Sequence, residues 1–147
     1  MHSSITKPRY SLIIYWIKRL FQSNNINTFP FQVRQLLKNY DVKIFRYSTL
    51  ADNYNCAVDS IVDIIGSEDG ETFYLPENEL YMVTYNDACL STERRRWTLA
   101  HELGHIVLQH FQLFPYSASA MGAGLVQLSA SESRLFEKEA DFFASEL

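Results

Sequence analysis

The sequence predicts an α+β domain. Three observations carry that prediction. Apolar residues recur at helical spacing near both ends of the chain and in one long segment around residue 100. Alternating or β-branched runs lie between them, over residues 42–85. Helices and strands therefore fall in separate blocks, which favours α+β over strict βαβ alternation.

Tyr10, Ile13, Ile14, Ile17, Leu20 and Phe21 share one helical face, so residues 10–22 are expected as an amphipathic helix. Ser23-Asn24-Asn25-Ile26-Asn27 closes it with turn-prone residues. Phe31 to Tyr40 reads as a second helix, entered at Pro30, with Val33, Leu36 and Leu37 on one face. Val42 to Tyr47 reads as a strand and 48–56 as a loop. Ala57 to Ile65 is apolar and β-branched, and is expected as a strand, with a short helix as the alternative. Glu71–Leu75 and Leu80–Tyr85, joined by Pro76-Glu77-Asn78-Glu79, read as a hairpin. The sheet is thus expected to be small and mostly antiparallel. Ser91 or Thr92 can cap a helix from about Glu93 to about Phe111. Residues 112–127 hold Pro115, Gly122 and Gly124 and read as a long flexible loop. Ser129-Ala130-Ser131-Glu132 fits a capping box. A last helix then runs to Leu147, with Phe136, Ala140, Phe143 and Leu147 on one face.

At 147 residues the chain is expected to form one domain, 1–147. Its 47% apolar content excludes a disordered chain. No run approaches the ~18 apolar residues of a membrane span. The longest, Leu12 to Ile17, ends at Lys18-Arg19, with no small-residue cleavage site after it. Cys56 and Cys89 form no CxxC pair, which fits a reducing cytoplasm. The net charge of −4 hides a split. Residues 1–46 carry eight Lys/Arg and one acid, for +7, while residues 47–147 carry five Lys/Arg and sixteen acids, for −11. A basic first third raises the question of a nucleic-acid or membrane arm. No helix-turn-helix pattern and no interleaved aromatic motif accompanies it. Neither a nucleic-acid nor a membrane partner is therefore expected.

The chemistry concentrates in His101-Glu102-Leu103-Gly104-His105, an HExxH motif. Positions i and i+4 share a helical face, so His101 and His105 can both address one Zn²⁺. Glu102 then stands beside the ion as a candidate general base. Leu99, Leu103, Ile106 and Val107 supply the apolar side of that helix. Catalytic zinc typically takes three protein ligands. The metzincin extension would need Gly at 108 and His at 111, where the chain has Leu108 and Phe111; His110 is out of register. The third ligand is then sought on the last helix, among Glu132, Glu137 and Glu139. Glu137 has Asp141 at i+4, so one can ligate while the other takes a ligand histidine's second N–H. Glu139 has only Phe143 there. Glu137 is the choice and Glu139 the alternative. His110 and Tyr116 are weak candidates for a donor to an oxyanion, Leu80–Tyr85 is the candidate strand for pairing extended substrate, and the 115–124 loop is a candidate cover for the cleft.

The stretch Thr92-Glu93-Arg94-Arg95-Arg96-Trp97-Thr98-Leu99-Ala100-His101-Glu102-Leu103-Gly104-His105 resembles the signature of the ImmA/IrrE family of metallopeptidases. Glu137-Lys138-Glu139-Ala140-Asp141-Phe142-Phe143-Ala144-Ser145-Glu146-Leu147 resembles its second motif. The two blocks in this order are far more specific than HExxH alone. The resemblance extends weakly back to residues 31–47 and the hairpin before the motif, and does not clearly cover 1–25. It implies a zincin-like fold, His101, His105 and Glu137 as metal ligands, one Zn²⁺, and Glu102 as general base. It also implies action on a protein partner, a transcriptional repressor of a phage, mobile element or stress response. A zinc-binding regulator without catalysis is the competing reading. Trp97 stands where the family usually has Phe. The family usually continues past this last helix, so a chain cut short at its C-terminal end is expected.

Overall fold

The computed structural model describes residues 5–37, 40–88, 91–113 and 130–147, the side chains of 130–132 excepted. The described elements are α1 (Tyr10–Ser23), α2 (Arg34–Leu37), β1 (Val42–Arg46), α3 (Tyr47–Asn53), α4 (Val58–Ile65), β2 (Gly70–Leu75), β3 (Leu80–Tyr85), α5 (Thr92–Val107), α6 (His110–Leu113) and α7 (Ala130–Glu146). The architecture is α+β, as expected. No helix among the described residues is long and apolar enough to cross a membrane.

The sheet is mixed rather than mostly antiparallel. Its order is β1-β3-β2. β2 and β3 form the expected antiparallel hairpin, pairing Gly70 with Tyr85 and Leu75 with Leu80. β1 pairs β3 in parallel, from Val42 opposite Tyr81 to Arg46 opposite Tyr85. A parallel pairing needs a long crossover, and α3, α4 and β2 supply it. β3 is therefore the central strand. Its two edges are taken by β1 and β2, so it has no free edge for an extended substrate.

The crossover is where the local reading fails. Of the expected 57–65 strand, Val58–Ile65 forms α4, the helix held as the alternative. Val58, Ile61, Val62 and Ile65 fit spacing i, i+3, i+4, i+7, so the same apolar run makes a helical face as readily as a strand. Asp59 sits in the first turn, and Gly66 closes the helix at φ 85°, its N–H on the Val62 carbonyl at 2.8 Å. Residues 48–53 of the expected 48–56 loop are helical too. α3 buries Tyr47 and Ala51 against Ile61 of α4, and that tertiary contact overrides weak local propensity. At the second helix, only Arg34–Leu37 is helical. Phe31 and Val33 are buried from the segment ahead of that single turn instead of from a helical face.

The long α5 is capped as expected: the Ser91 side chain accepts from the Arg94 N–H at 3.2 Å. It stops at Val107 rather than near Phe111. Gln109 has φ 59°, and the chain restarts in the short α6. α5 packs on β2, β3 and α7, and α1 packs on α7. Ile13, Ile17 and Leu20 of α1 join Tyr81, Val83, Tyr85, Leu103, Ile106 and Phe143 in the main core. Each such fully buried side chain contributes about 1.5–3 kcal/mol. The opposite face of the sheet carries α3 and α4. Cys56 is a half-buried free thiol. Cys89, Ser129 and the other side chains of the expected 129–132 capping box, and the 114–127 part of the expected loop lie outside what is described.

Tyr47 ties that second layer down. It is fully buried, and its hydroxyl donates to the Ser67 carbonyl at 2.8 Å. Burial pushes its pKa up to about 12. Tyr47→Phe should cost about 1 kcal/mol near neutrality, the usual net worth of such a bond. The folded value lies above the ordinary value of about 10, so the hydroxyl's contribution is intact below that pH and is lost as pH rises toward 12. Urea titrations should show the gap between wild type and Tyr47→Phe closing over this alkaline range. A gap that stays constant there would contradict the assignment.

Candidate metal centre

α5 carries His101 and His105 on one face, and α7 brings Glu137 to meet them. The two helices can approach because residue 104 is glycine. A Cβ there would lie 3.1 Å from the Phe143 Cβ and 3.2 Å from the Ala140 Cα. The imidazole Nε2 atoms of His101 and His105 are 3.2 Å apart. Glu137 reaches both, Oε2 to His101 Nε2 at 2.8 Å and Oε1 to His105 Nε2 at 3.3 Å. One ligand atom from each of the three lies within 4.8 Å of the others. Ligand atoms about 2.0–2.1 Å from a tetrahedral Zn²⁺ stand roughly 3.3 Å from one another. The donor set and its spacing therefore suit such an ion.

The ring orientations suit it as well. His101 Nδ1 lies 2.8 Å from Asp141 Oδ1. The carboxylate accepts the Nδ1 N–H, the arrangement in which a neutral ring turns its Nε2 lone pair to a metal. This is the i+4 pairing of Glu137 and Asp141 read from the sequence. The electrostatics point the same way. Glu71, Glu102, Glu137 and Asp141 line the cleft with His101. Burial alone would lower the His101 pKa, but the Glu137 hydrogen bond and the Glu102, Glu137 and Asp141 charges hold it up at about 9. Burial, with Glu102 and Glu137, pushes Glu71 up to about 8. Burial also raises Glu137, yet the His101 and His105 rings beside it win and keep it far below the ordinary carboxylate range. The cleft attracts positive charge.

Glu102 faces the same cleft and is 4% exposed. The Thr72 hydroxyl of β2 donates to its Oε2 at 2.5 Å. That orients the carboxylate and leaves Oε1 as the freer oxygen. Nothing in the sequence pairs residue 72 with residue 102; only the packing of β2 on α5 does.

Glu139 and His110 are not in the cleft. Residues two apart on a helix point roughly 200° apart, so Glu139 faces away from Glu137. It is fully buried and is held by Arg9: backbone N–H at 2.7 Å, Nε at 2.9 Å and Nη2 at 2.9 Å. His110 is fully buried behind His105, its ring stacked on Phe136 with centroids 4.2 Å apart. Its Nδ1 lies 2.8 Å from His105 Nδ1 and its Nε2 lies 2.8 Å from Glu139 Oε1. Both ring nitrogens are occupied, so His110 cannot serve an oxyanion in the cleft. Burial, His105 and Arg9 lower its pKa to about 4, against the pull of Glu139, so the ring is neutral at pH 7. Tyr116 and the 115–124 loop lie outside the described residues.

A model of the Peptidase_M78 family, described as the IrrE N-terminal-like domain, matches residues 37–147. No curated protein matches the chain. The family match takes in α5 and α7 whole and leaves out α1 and Arg9.

The glycine contact is directly testable. Gly104→Ala gains about 1 kcal/mol of helix propensity but forces a methyl into the α5–α7 contact, where overpacking costs about 1–3 kcal/mol. The expected net result is a lower urea midpoint and weaker metal binding by equilibrium dialysis. A variant that is more stable and binds metal equally well would show that the helices are not held at this distance.

Proposed function

The chain belongs to the Peptidase_M78 family of IrrE N-terminal-like domains, and on that footing we propose that it is a zinc-dependent endopeptidase of zincin-like architecture. We read His101, His105 and Glu137 as the zinc ligands and Glu102 as the general base. The observation that carries this reading is the convergence of two imidazole nitrogens and a carboxylate within 4.8 Å, beside a buried glutamate. A purely structural site would have no use for that glutamate.

Zinc held there would lower the pKa of a water molecule and polarise the scissile carbonyl. The remaining chemistry belongs to the chain. Thr72 fixes one oxygen of Glu102, so the other takes the proton of the attacking water. Glu102 then passes it to the leaving amine. Asp141 keeps His101 in the tautomer that can bind metal. Among the described residues β2 is an edge strand, and it touches Glu102 through Thr72. It therefore replaces β3 as the strand expected to pair with an extended peptide. The substrate we infer is a cytoplasmic protein partner, a helix-turn-helix repressor of a phage, mobile element or stress regulon. Family membership supports that choice.

Elemental analysis of the folded protein should find about one zinc per chain, and His101→Ala or His105→Ala should abolish it. Glu102→Gln should keep the metal and slow cleavage of a helix-turn-helix repressor substrate by about 10²–10⁴-fold. Folded protein free of zinc would overturn the reading. Zinc binding with no Glu102-dependent cleavage would point to a regulator that holds its partner without cutting it.

A further inference from the structure

The interior behind the cleft holds a second polar assembly that no motif accounts for. Starting outside, Arg9 donates three N–H groups to the two oxygens of Glu139. Glu139 Oε1 meets His110 Nε2, and His110 Nδ1 meets His105 Nδ1. Glu139 and His110 are both 0% exposed, and Phe136 lies flat against the His110 ring at an interplanar angle of 11°. Four side chains from three separate parts of the chain thus form one line of hydrogen bonds ending on His105.

With both imidazoles neutral, the protons in that line can run in one direction only. Arg9 has only donors, so both Glu139 oxygens act as acceptors. Glu139 Oε1 must then receive the N–H of His110 Nε2. A neutral imidazole has one N–H, so His110 Nδ1 is left as an acceptor. It can face His105 Nδ1 at 2.8 Å only if that nitrogen carries the proton. His105 is thereby left with a bare Nε2, the atom that faces His101 and Glu137. The opposite polarity would put the proton on His105 Nε2 and remove its lone pair from the site.

We propose that Arg9, Glu139 and His110 are positioning residues which fix the tautomer and ring orientation of His105, so that the segment leading into α1 governs how tightly the site holds its metal. The proposal rests on reading His105 as a ligand. A salt bridge that merely docked α1 on α7 would need Arg9 and Glu139 alone. It would not need a fully buried histidine clamped between Glu139 and His105. Arg9 also precedes the 37–147 span of the family match.

The test is the zinc affinity of the full chain, measured by competition with a chromophoric chelator, with the Co²⁺ absorption spectrum as a second readout of ligand geometry. His110→Leu removes the acceptor for His105 and should weaken zinc by about 10–100-fold. His110→Asn restores an acceptor near the Nδ1 position and should recover most of that loss together with the wild-type Co²⁺ spectrum. Arg9→Ala, a change at a partly exposed residue, should weaken zinc by about tenfold. Equal losses in His110→Leu and His110→Asn would reduce His110 to packing and overturn the proposal, as would wild-type affinity in His110→Leu. If circular dichroism shows His110→Leu unfolded, Arg9→Ala decides: weakened binding supports the relay and unchanged affinity overturns it. Wild-type protein that binds no zinc would instead sink the ligand reading beneath the proposal.

Discussion

The close approach of α5 to α7 at Gly104 is the constraint on which the site depends. His101 and His105 lie one turn apart on α5, with Gly104 between them, and Glu137 comes from the other helix. Its contacts to the two rings are 2.8 and 3.3 Å. Hydrogen bonding of this kind is largely gone by 3.6 Å, so a sub-ångström separation of the helices would undo it. Phe143 and Ala140 fill the other side of the contact. Both are buried, so the apolar packing that stabilises the fold also sets the spacing between imidazole and carboxylate.

The same interface carries the buried charges. An isolated carboxylate at 0% exposure would be very costly. Glu139 is tolerated because Arg9 saturates it and His110 takes its remaining direction. Burial raises its pKa, yet those hydrogen bonds win and hold it at about 2. Breaking such a pair costs more than never having made it, which gives the α1–α7 contact a fixed register. The charge split between the basic first third and the acidic remainder finds a partial structural answer here. At Arg9 the basic segment docks on the acidic body of the same chain. It does so while Ile13, Ile17 and Leu20 of α1 enter the main core, so this basic segment belongs to the fold.

The sheet decides access. With β1 and β2 on either side, β3 is spent on pairing. Alternation along β2 sends Thr72 toward α5, where it meets Glu102, and Phe73 toward α3 and α4. One strand thus orients the glutamate, contributes to the second layer and offers an edge near the cleft. Two consecutive residues serve the two faces because of the pleat.

The sequence by itself determined what depends on short-range periodicity. His101 and His105 share a face because i and i+4 do, and Glu137 pairs with Asp141 for the same reason. Amphipathic spacing located α1, α5 and α7, and the Ser91 cap followed from its residue type. Tertiary structure alone decided the rest. An apolar run such as 58–65 satisfies both a strand and a helix, and only Tyr47 and Ala51 packed on Ile61 select the helix. Strand order depends on a crossover that local pattern does not encode. Thr72 meets Glu102 across 30 residues and Arg9 meets Glu139 across 130. Those pairings come from burial, which brings polar groups together wherever the packed helices leave them no water, and that has no period along the chain.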